Sequence, residues 1–393
     1  VCGGKDRFSI NTQKNMWNCR GCAKGGKDVI SLAMHTSGLA FVPALEFITG
    51  QSANDIKNED GAARKKRIEK LAADKKRIEQ EEQKREAENE VFRERARKVG
   101  KQIWDSAARP NWQNSPLLSP SHPSGASPTP PPSPLKTYLV GRNIDFEKLM
   151  KITNNGSNLI LRQRIAHDYL LKIAGKWRQI HNSPAMIAAV QRANATFGAV
   201  HQTWFEGNNK INLTHPETGK ALPAKKVLGS KKGGAIRLFT PPHPKRLVAG
   251  EGIETTLSVM TEAFEPDTAY WCLVDLGNMA GRAARDNNDV QIHDMPDMED
   301  KDAFIAPDWA QEMVYLGDAD APSEAQYEKT YNALLRGCRR SMALRPSLST
   351  KIAMSAAGTD FNDMIGGGVG EASKASDGDL KNNGGGTLAN EQR

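Results

Sequence analysis

Two groups of side chains in this sequence have the types and spacing to do chemistry. The first is acidic: Glu251 directly follows the run Arg246–Gly250, and Asp318 and Asp320 follow a second run, Met313–Gly317. An i, i+2 spacing puts both aspartates on one side of an extended backbone. Gly252 allows a tight turn before a helix expected from Thr255. Three carboxylates gathered at the mouth of one sheet repel one another and take up protons unless a cation neutralises them. Donors that are all oxygen suit Mg2+ or Mn2+ and not zinc.

The second group is sulfur. Cys2, Cys19 and Cys22 fit a C-x2-C, sixteen-residue, C-x2-C pattern whose first cysteine would lie just before Val1. Two such turns at the ends of a hairpin present four ligands to one tetrahedral Zn2+. Gly3 and Gly4 after the first turn and Gly21 inside the second suit the tight backbone there. The fourth ligand is expected upstream or from a substitute. His35, on an expected helix with apolar neighbours, reads as a packed or surface histidine and is left out of the ligand set. The alternative is three free cysteines in a loop.

A one-signed stretch lies between the two groups. From Thr218 through Gly250 there is no acidic residue, while Lys220, Lys225, Lys226, Lys231, Lys232, Arg237, Lys245 and Arg246 all fall within it. Lysines mixed with glycines let ammonium and backbone groups approach phosphate oxygens. A solvated lysine loop is the competing reading.

The elements that must position these residues follow from composition. The chain has 393 residues, a net charge of +8 and five cysteines. That length allows two or three domains, the charge favours an anionic partner, and the cysteines are too few for a secreted disulfide scaffold. The longest apolar stretch, Val29 to Leu45, is broken by Ser31, His35, Thr36, Ser37 and Pro43, so no membrane span and a cytoplasmic location are expected.

Residues 1–55 read as a small metal-binding module with helices at Asp28–His35, capped by Asp28, and at Ala40–Ile48. Residues 56–110 read as a charged helical spacer, and 111–134 as a Pro/Ser-rich linker. Residues 135–243 form an α+β region with strands expected at Leu159–Leu161, Met186–Val190 and Gly198–Phe205. From 244 to 366 strands alternate with helices: Arg246–Gly250, Trp271–Leu276, Met313–Leu316 and Lys351–Ser355, with a helix over Ser323–Met342. That rhythm predicts a parallel sheet flanked by helices, with its site at the carboxyl ends of the strands. Residues 367–393 are expected to be disordered. The expected fold class is therefore mixed α/β and α+β in several domains.

The motifs carry a resemblance. Cys2-Gly-Gly-Lys-Asp-Arg-Phe8, Trp17-Asn-Cys19-Arg-Gly-Cys22 and Gly25-Gly26 resemble the zinc-binding domain of phage and plasmid primase-helicases. Glu251-Gly-Ile-Glu-Thr-Thr-Leu-Ser258 and Leu316-Gly-Asp-Ala-Asp320 resemble the Toprim domain of primases and topoisomerases. Gly358-Thr-Asp360-Phe-Asn-Asp363 looks like the acidic segment after the last Toprim strand in primases. The Pro-rich stretch has no counterpart expected in that family.

The resemblance implies a DNA primase that makes short RNA primers from NTPs on single-stranded DNA. Glu251, Asp318 and Asp320 would hold magnesium, and Asp360 and Asp363 would be further catalytic acids. Lys225, Lys226, Lys231, Lys232 and Arg237 would steady triphosphate and template, with Lys226 and Lys232 resembling nucleotide-facing lysines of the bacterial primase core. Lys5, Arg7, Phe8 and Trp17 suit template contact, although Phe8 and Trp17 equally suit the small core of the hairpin. No Gly-x-x-x-x-Gly-Lys-[Ser/Thr] occurs, so a separate helicase is the expected partner. A Toprim nuclease, or a non-catalytic zinc-finger/Toprim recombination protein that binds DNA, are the rival readings.

Overall fold

The computed structural model describes residues 2, 7–12, 15–22, 24–50, 52, 61–110, 112, 133–286, 290–320, 323–356 and 358–366. Lys5, Gly3 and Gly4, nearly all of the Pro/Ser-rich stretch and the tail after residue 366 lie outside the described residues.

Strands β1 (Phe8–Asn11), β2 (Met16–Cys19) and β3 (Lys24–Gly26) form a small antiparallel sheet. Helices α1 (Val29–Ser37) and α2 (Phe41–Thr49) follow it, bent by 109° to each other. Asp28 caps α1 by accepting from the Ser31 N–H, and Gly38 ends it at φ 67°, a left-handed conformation that glycine adopts without strain. No single helix among the described residues is long and apolar enough to cross a membrane.

The charged spacer forms one 46-residue helix, α3 (Gly61–Ser106). Lys75–Glu79 and Lys101–Asp105 pair at i, i+4 along it, and three Arg–acid pairs sit at i, i+3. Its described side chains are almost all exposed up to Phe92; burial begins at Arg93. At Gly100 an added Cβ would stand 2.7 Å from the Leu228 carbonyl oxygen, so only glycine lets the helix come this close to the sheet beneath.

That sheet is antiparallel, in the order β10 (Lys225–Gly229), β6 (Phe197–Glu206), β5 (Lys176–Gln191), β4 (Arg162–Ile173). Short β7 (Asn209–Lys210) pairs with β6, and β8 (Leu213–Thr214) with β9 (Ala221–Leu222). Side chains alternate between its faces. Ala185, Ile187, Val200 and Trp204 pack under Ile103, Trp104 and Ala107 of the α3 end. Met186, Ala188, Val190 and Phe205 face the main core, against α4 (Pro134–Gly141) and its neighbour α5 (Phe146–Ile152).

The second large sheet runs β11 (Ile236–Phe239), β13 (Thr268–Cys272), β12 (Arg246–Gly250), β16 (Glu312–Gly317), β17 (Ser349–Met354). β12 lies parallel to β13 and β16, β17 parallel to β16, and β11 antiparallel at the edge. The central strands are nearly continuous apolar runs because both faces are covered. Val248, Tyr270, Val314 and Leu316 meet Ile253, Leu257 and Met260 of α6 (Ile253–Glu262). Leu247, Ala249, Trp271, Met313 and Tyr315 pack on the other face, beneath Met279 of α7 (Leu276–Ala280) and Leu334 and Cys338 of α8 (Glu324–Leu344). A two-stranded ribbon, β14 (Ala283–Arg285) and β15 (Gln291–Pro296), lies beside α8, and α9 (Phe361–Gly366) ends the described chain. The mixed α/β and α+β class expected from the sequence is the class observed.

Three boundaries differ from the expectation. Leu159–Leu161 is irregular: Leu159 and Leu161 are buried in the main core, but pairing begins only at Arg162. The strand expected at Trp271–Leu276 runs from Thr268 to Cys272. It stops there because Val274 takes φ 75° and Asp275 caps α7. The lysine run, weighed as a loop, contributes strand β10.

Candidate functional site

The acidic residues stand where β12 and β16 end. Glu251 is exposed at the end of β12, and Gly252 caps α6 in extended conformation. Surrounding protein raises the Glu251 pKa by desolvation, opposed by the nearby Lys225 ammonium, and Asp320 raises it further. Asp318 is half-buried. Its Oδ2 accepts a 3.1 Å hydrogen bond from Thr255 Oγ1 in the first turn of α6, whereas its Oδ1 is buried and makes no close hydrogen bond among the described residues. Desolvation pushes the Asp318 carboxyl up to about 6; Thr255 and the Phe361 N–H oppose the rise, and Asp360 and Asp320 add to it. Asp320 is exposed.

The loop carrying Asp318 and Asp320 is held by its neighbour. Ala319 N–H donates to Ser355 Oγ at 2.7 Å, and Gly358 N–H donates to the Ala319 carbonyl at 2.8 Å. Asp360 begins α9 by accepting from the Asp363 N–H at 2.8 Å, and it pairs with Arg142 at 3.5 Å. The Asp363 side chain is exposed. Among the described residues, no three carboxylate groups bring ligand oxygens within 4.8 Å of one another.

The basic residues separate by face. Lys225 turns toward α6 and pairs with Glu254 Oε2 at 3.2 Å, while Lys210 pairs with Glu254 Oε1 at 3.3 Å. Tyr138 donates to Glu254 Oε1 at 2.7 Å. Burial alone would raise the Glu254 pKa, but Lys225, Lys210 and Tyr138 outweigh it and hold this carboxylate well below the usual range. Burial lowers the Lys210 pKa, whereas for Lys225 the Glu254 charge overcomes burial and raises it. Lys226, one residue on, points to the opposite face. It lies 3.4 Å over the Tyr169 ring and donates to the Leu170 carbonyl at 2.7 Å, and burial lowers its pKa to about 8.

Lys231 pairs with Asp275, and burial lowers its pKa against the raising effect of Glu251. Lys232 pairs with Asp302. Arg237 lies 4.6 Å over Trp271 and donates to the Arg192 and Ala193 carbonyls at 2.8 and 3.1 Å. The structure thus brings Lys225 and Lys231 to the acidic end of the sheet and sends Lys226, Lys232 and Arg237 elsewhere.

In the small sheet, Cys2, Cys19, Cys22 and His35 bring their ligand atoms within 4.8 Å of one another. Cys22 Sγ lies 3.9 Å from His35 Nε2. This corrects the sequence reading, which left His35 out. Asp28 starts α1 so that His35 falls two turns along it, and Trp17 stacks on the imidazole with centroids 4.5 Å apart. A histidine thirteen residues after a C-x2-C pair was the available signal. Burial would raise the Cys19 pKa, but His35, the Gly21 and Cys22 N–H groups and the Cys22 thiol lower it. Contacts with Cys22 and Cys19 raise that of Cys2. Three thiols and an imidazole suit a structural zinc ion.

Trp17 is buried and donates to Ser31 Oγ at 3.0 Å, which makes it part of the module's small core. At Gly26 an added Cβ would lie 2.6 Å from the Trp17 Nε1 and closer still to Ser31 Oγ. Phe8 is exposed and Arg7 is exposed beside it.

Sequence reasoning missed Glu254, Lys210, Tyr138, Arg142 and His35. Glu254 lay inside the quoted motif, and its i+3 spacing from Glu251 could have flagged it as turned inward.

Comparison with known proteins adds three findings. Residues 124–238 match a domain family of unknown function, DUF7146. No curated protein matches the sequence. Among solved structures, a DNA primase domain from Pseudomonas aeruginosa is similar at 9% identity, covering 69% of this chain and 74% of that one, with a TM-score of 0.38. The primase fragment of the bacteriophage T7 primase-helicase is similar at 14% identity, covering 62% and 76%, with a TM-score of 0.29. The chain is therefore distantly similar in structure to primase domains and carries a Cys3His group that could bind zinc.

Proposed function

We propose that this chain is a DNA primase that joins NTPs into short RNA primers on single-stranded DNA. The observation that carries the reading is Asp318, a carboxylate at the end of a parallel strand with a buried oxygen that makes no close hydrogen bond among the described residues and a pKa pushed up to about 6. A structural acid would have its lone pairs satisfied; one left open beside two further carboxylates is set up to receive a cation.

Glu251, Asp318 and Asp320 would hold magnesium. When bound, the ion would acidify a primer 3′-hydroxyl and neutralise charge on the incoming triphosphate. The chain's own groups do the rest. Thr255 orients Asp318, the Ser355 and Gly358 contacts fix its loop, and Lys231 offers an ammonium beside Glu251. The Glu254 cluster ties helix α6 to the antiparallel sheet, so Lys225 sits at a fixed height near the same end. Attack of the hydroxyl on the α-phosphorus forms the new ester and releases pyrophosphate, and positioning and charge account for most of the acceleration. The zinc module would add a second contact to the template, raising its effective concentration at the core.

The test is oligomer synthesis on single-stranded DNA with labelled ATP, four NTPs and Mg2+, beside Asp318→Ala. Short products that vanish in the variant are expected. Template cleavage without synthesis would replace this reading with a nuclease.

A further inference from the structure

Two cavities line the antiparallel sheet, and their charges differ in kind. One, of about 230 Å3, holds Arg93, Arg97, Arg192 and Lys232 together with three carboxylates, Glu90, Glu94 and Asp302, which pair with Arg93, Arg97 and Lys232. The other, of about 310 Å3, lies where the end of α3 meets edge strand β11. Trp104, Arg109, Asn158, Arg162, Arg237 and Thr240 line it, and no carboxylate does.

In this second cavity the Arg162 guanidinium lies 4.1 Å over the Trp104 ring and is fixed by a 2.7 Å hydrogen bond to the Trp104 carbonyl. Arg237 keeps a buried Nε without a partner. Arg109 is exposed and, among the described residues, enters no hydrogen bond or ion pair. Because β11 runs antiparallel to β13, pairing Ile236 with Cys272 and Phe239 with Tyr270, Thr240 lies toward the amino ends of the parallel strands. Arg237, which also lines the cavity, stands nearer the carboxyl ends, opposite Trp271.

The geometry points to a contact for one nucleotide unit of single-stranded nucleic acid: phosphate at Arg109 and Arg237, base against the Arg162–Trp104 stack. Three guanidiniums without a carboxylate attract an anion, and a guanidinium layered on indole offers a flat face to any base. Asn158 and Thr240 add polar groups that suit sugar or base edges. The volume falls at the lower end of small-ligand pockets, about 300–1,000 Å3. A strand held here would pass the edge of the sheet at β11. This contact stands apart from the proposed synthesis and needs no magnesium.

The test uses the full chain without added magnesium. Anisotropy of a labelled oligothymidylate is titrated at several salt concentrations for wild type and Arg109→Ala, a change at an exposed residue. The variant is expected to bind roughly tenfold more weakly. The slope of log K against log salt should fall by about 0.7, the value for one phosphate contact on a single strand. In a second arm, an oligomer carrying 5-iodouracil is photocrosslinked, with the adduct expected on Trp104. Unchanged affinity and slope, or adducts only elsewhere, overturn the inference. So does a loss confined to free ATP with oligonucleotide binding intact. A chain that makes no primer but crosslinks at Trp104 keeps this contact, and a working primase without the adduct loses it.

Discussion

Asp318→Asn should make the metal-free protein more stable while removing the proposed primer synthesis. A carboxyl held at about 6 instead of the ordinary 3.8 costs its ionised form roughly 1–3 kcal/mol at neutral pH, once the solvent contact of this half-buried group is allowed for. Asparagine removes the charge, keeps an oxygen to accept from Thr255, and turns a donor toward the neighbouring acids. For a folded unit of this size the gain corresponds to about 2–4 °C in Tm per kcal/mol. The pH dependence has a definite sign. Between 3.8 and about 6 the native state binds a proton that the unfolded chain does not, so wild-type stability rises as pH falls through that window. The advantage of the variant should be full above pH 6 and shrink toward pH 4. Melting curves without magnesium at about pH 7.5 and pH 5 measure it. Added magnesium should raise the wild-type Tm alone. A variant that melts lower than wild type at pH 7.5, or a gap that does not narrow in acid, would refute the reasoning.

Other consequences are as direct. Glu254→Gln leaves Lys210 and Lys225 without their counter-charge and should cost about 3–5 kcal/mol, the usual penalty for breaking a buried pair, seen as a lower urea midpoint; equal midpoints would show that the pair is not a stabilising link. Because the Glu254 pKa is depressed, its contribution is complete above the ordinary glutamate value and is lost as pH falls through the depressed one, so acid should narrow that difference. His35→Ala should lower zinc retained per chain against a competing chelator; full retention would place the fourth ligand elsewhere. Gly100→Val pushes side-chain atoms against the Leu228 carbonyl and should destabilise the α3 docking by about 1–3 kcal/mol, read as faster proteolytic nicking near residue 100, with an unchanged rate counting against the close approach.

The parallel sheet was easy to read because its strands are buried on both faces. Leu247–Gly250 and Met313–Gly317 are nearly all apolar, and the acids that follow them stand out. The cysteines were visible by spacing alone. Other features depend on facts that a linear pattern hides. Lys225 and Lys226 look equivalent in a row of lysines, yet on strand β10 they occupy opposite faces, one with Glu254 and the other on Tyr169. Glu254 was given no role of its own in the sequence, because Lys210 and Tyr138, which bind it, are distant along the chain. His35 seemed a packed histidine because its neighbours are apolar; it is packed, against Trp17, and that packing holds its ring beside the thiols. The end of β13 was misjudged because Val274 is apolar, and only its positive φ shows that the strand has already stopped.

The 46 residues of α3 span about 69 Å at 1.5 Å per residue, and only the last third or so, from Arg93, rests on the sheet. The remainder is an outrigger braced at one end. In such a rod, length and direction are not independent: each inserted residue moves the far tip by about 1.5 Å and swings it by about 100°. Adding one residue near position 80 would therefore re-aim whatever is attached at Gly61 far more than it would displace it, whereas adding eighteen would restore the bearing and change only the reach.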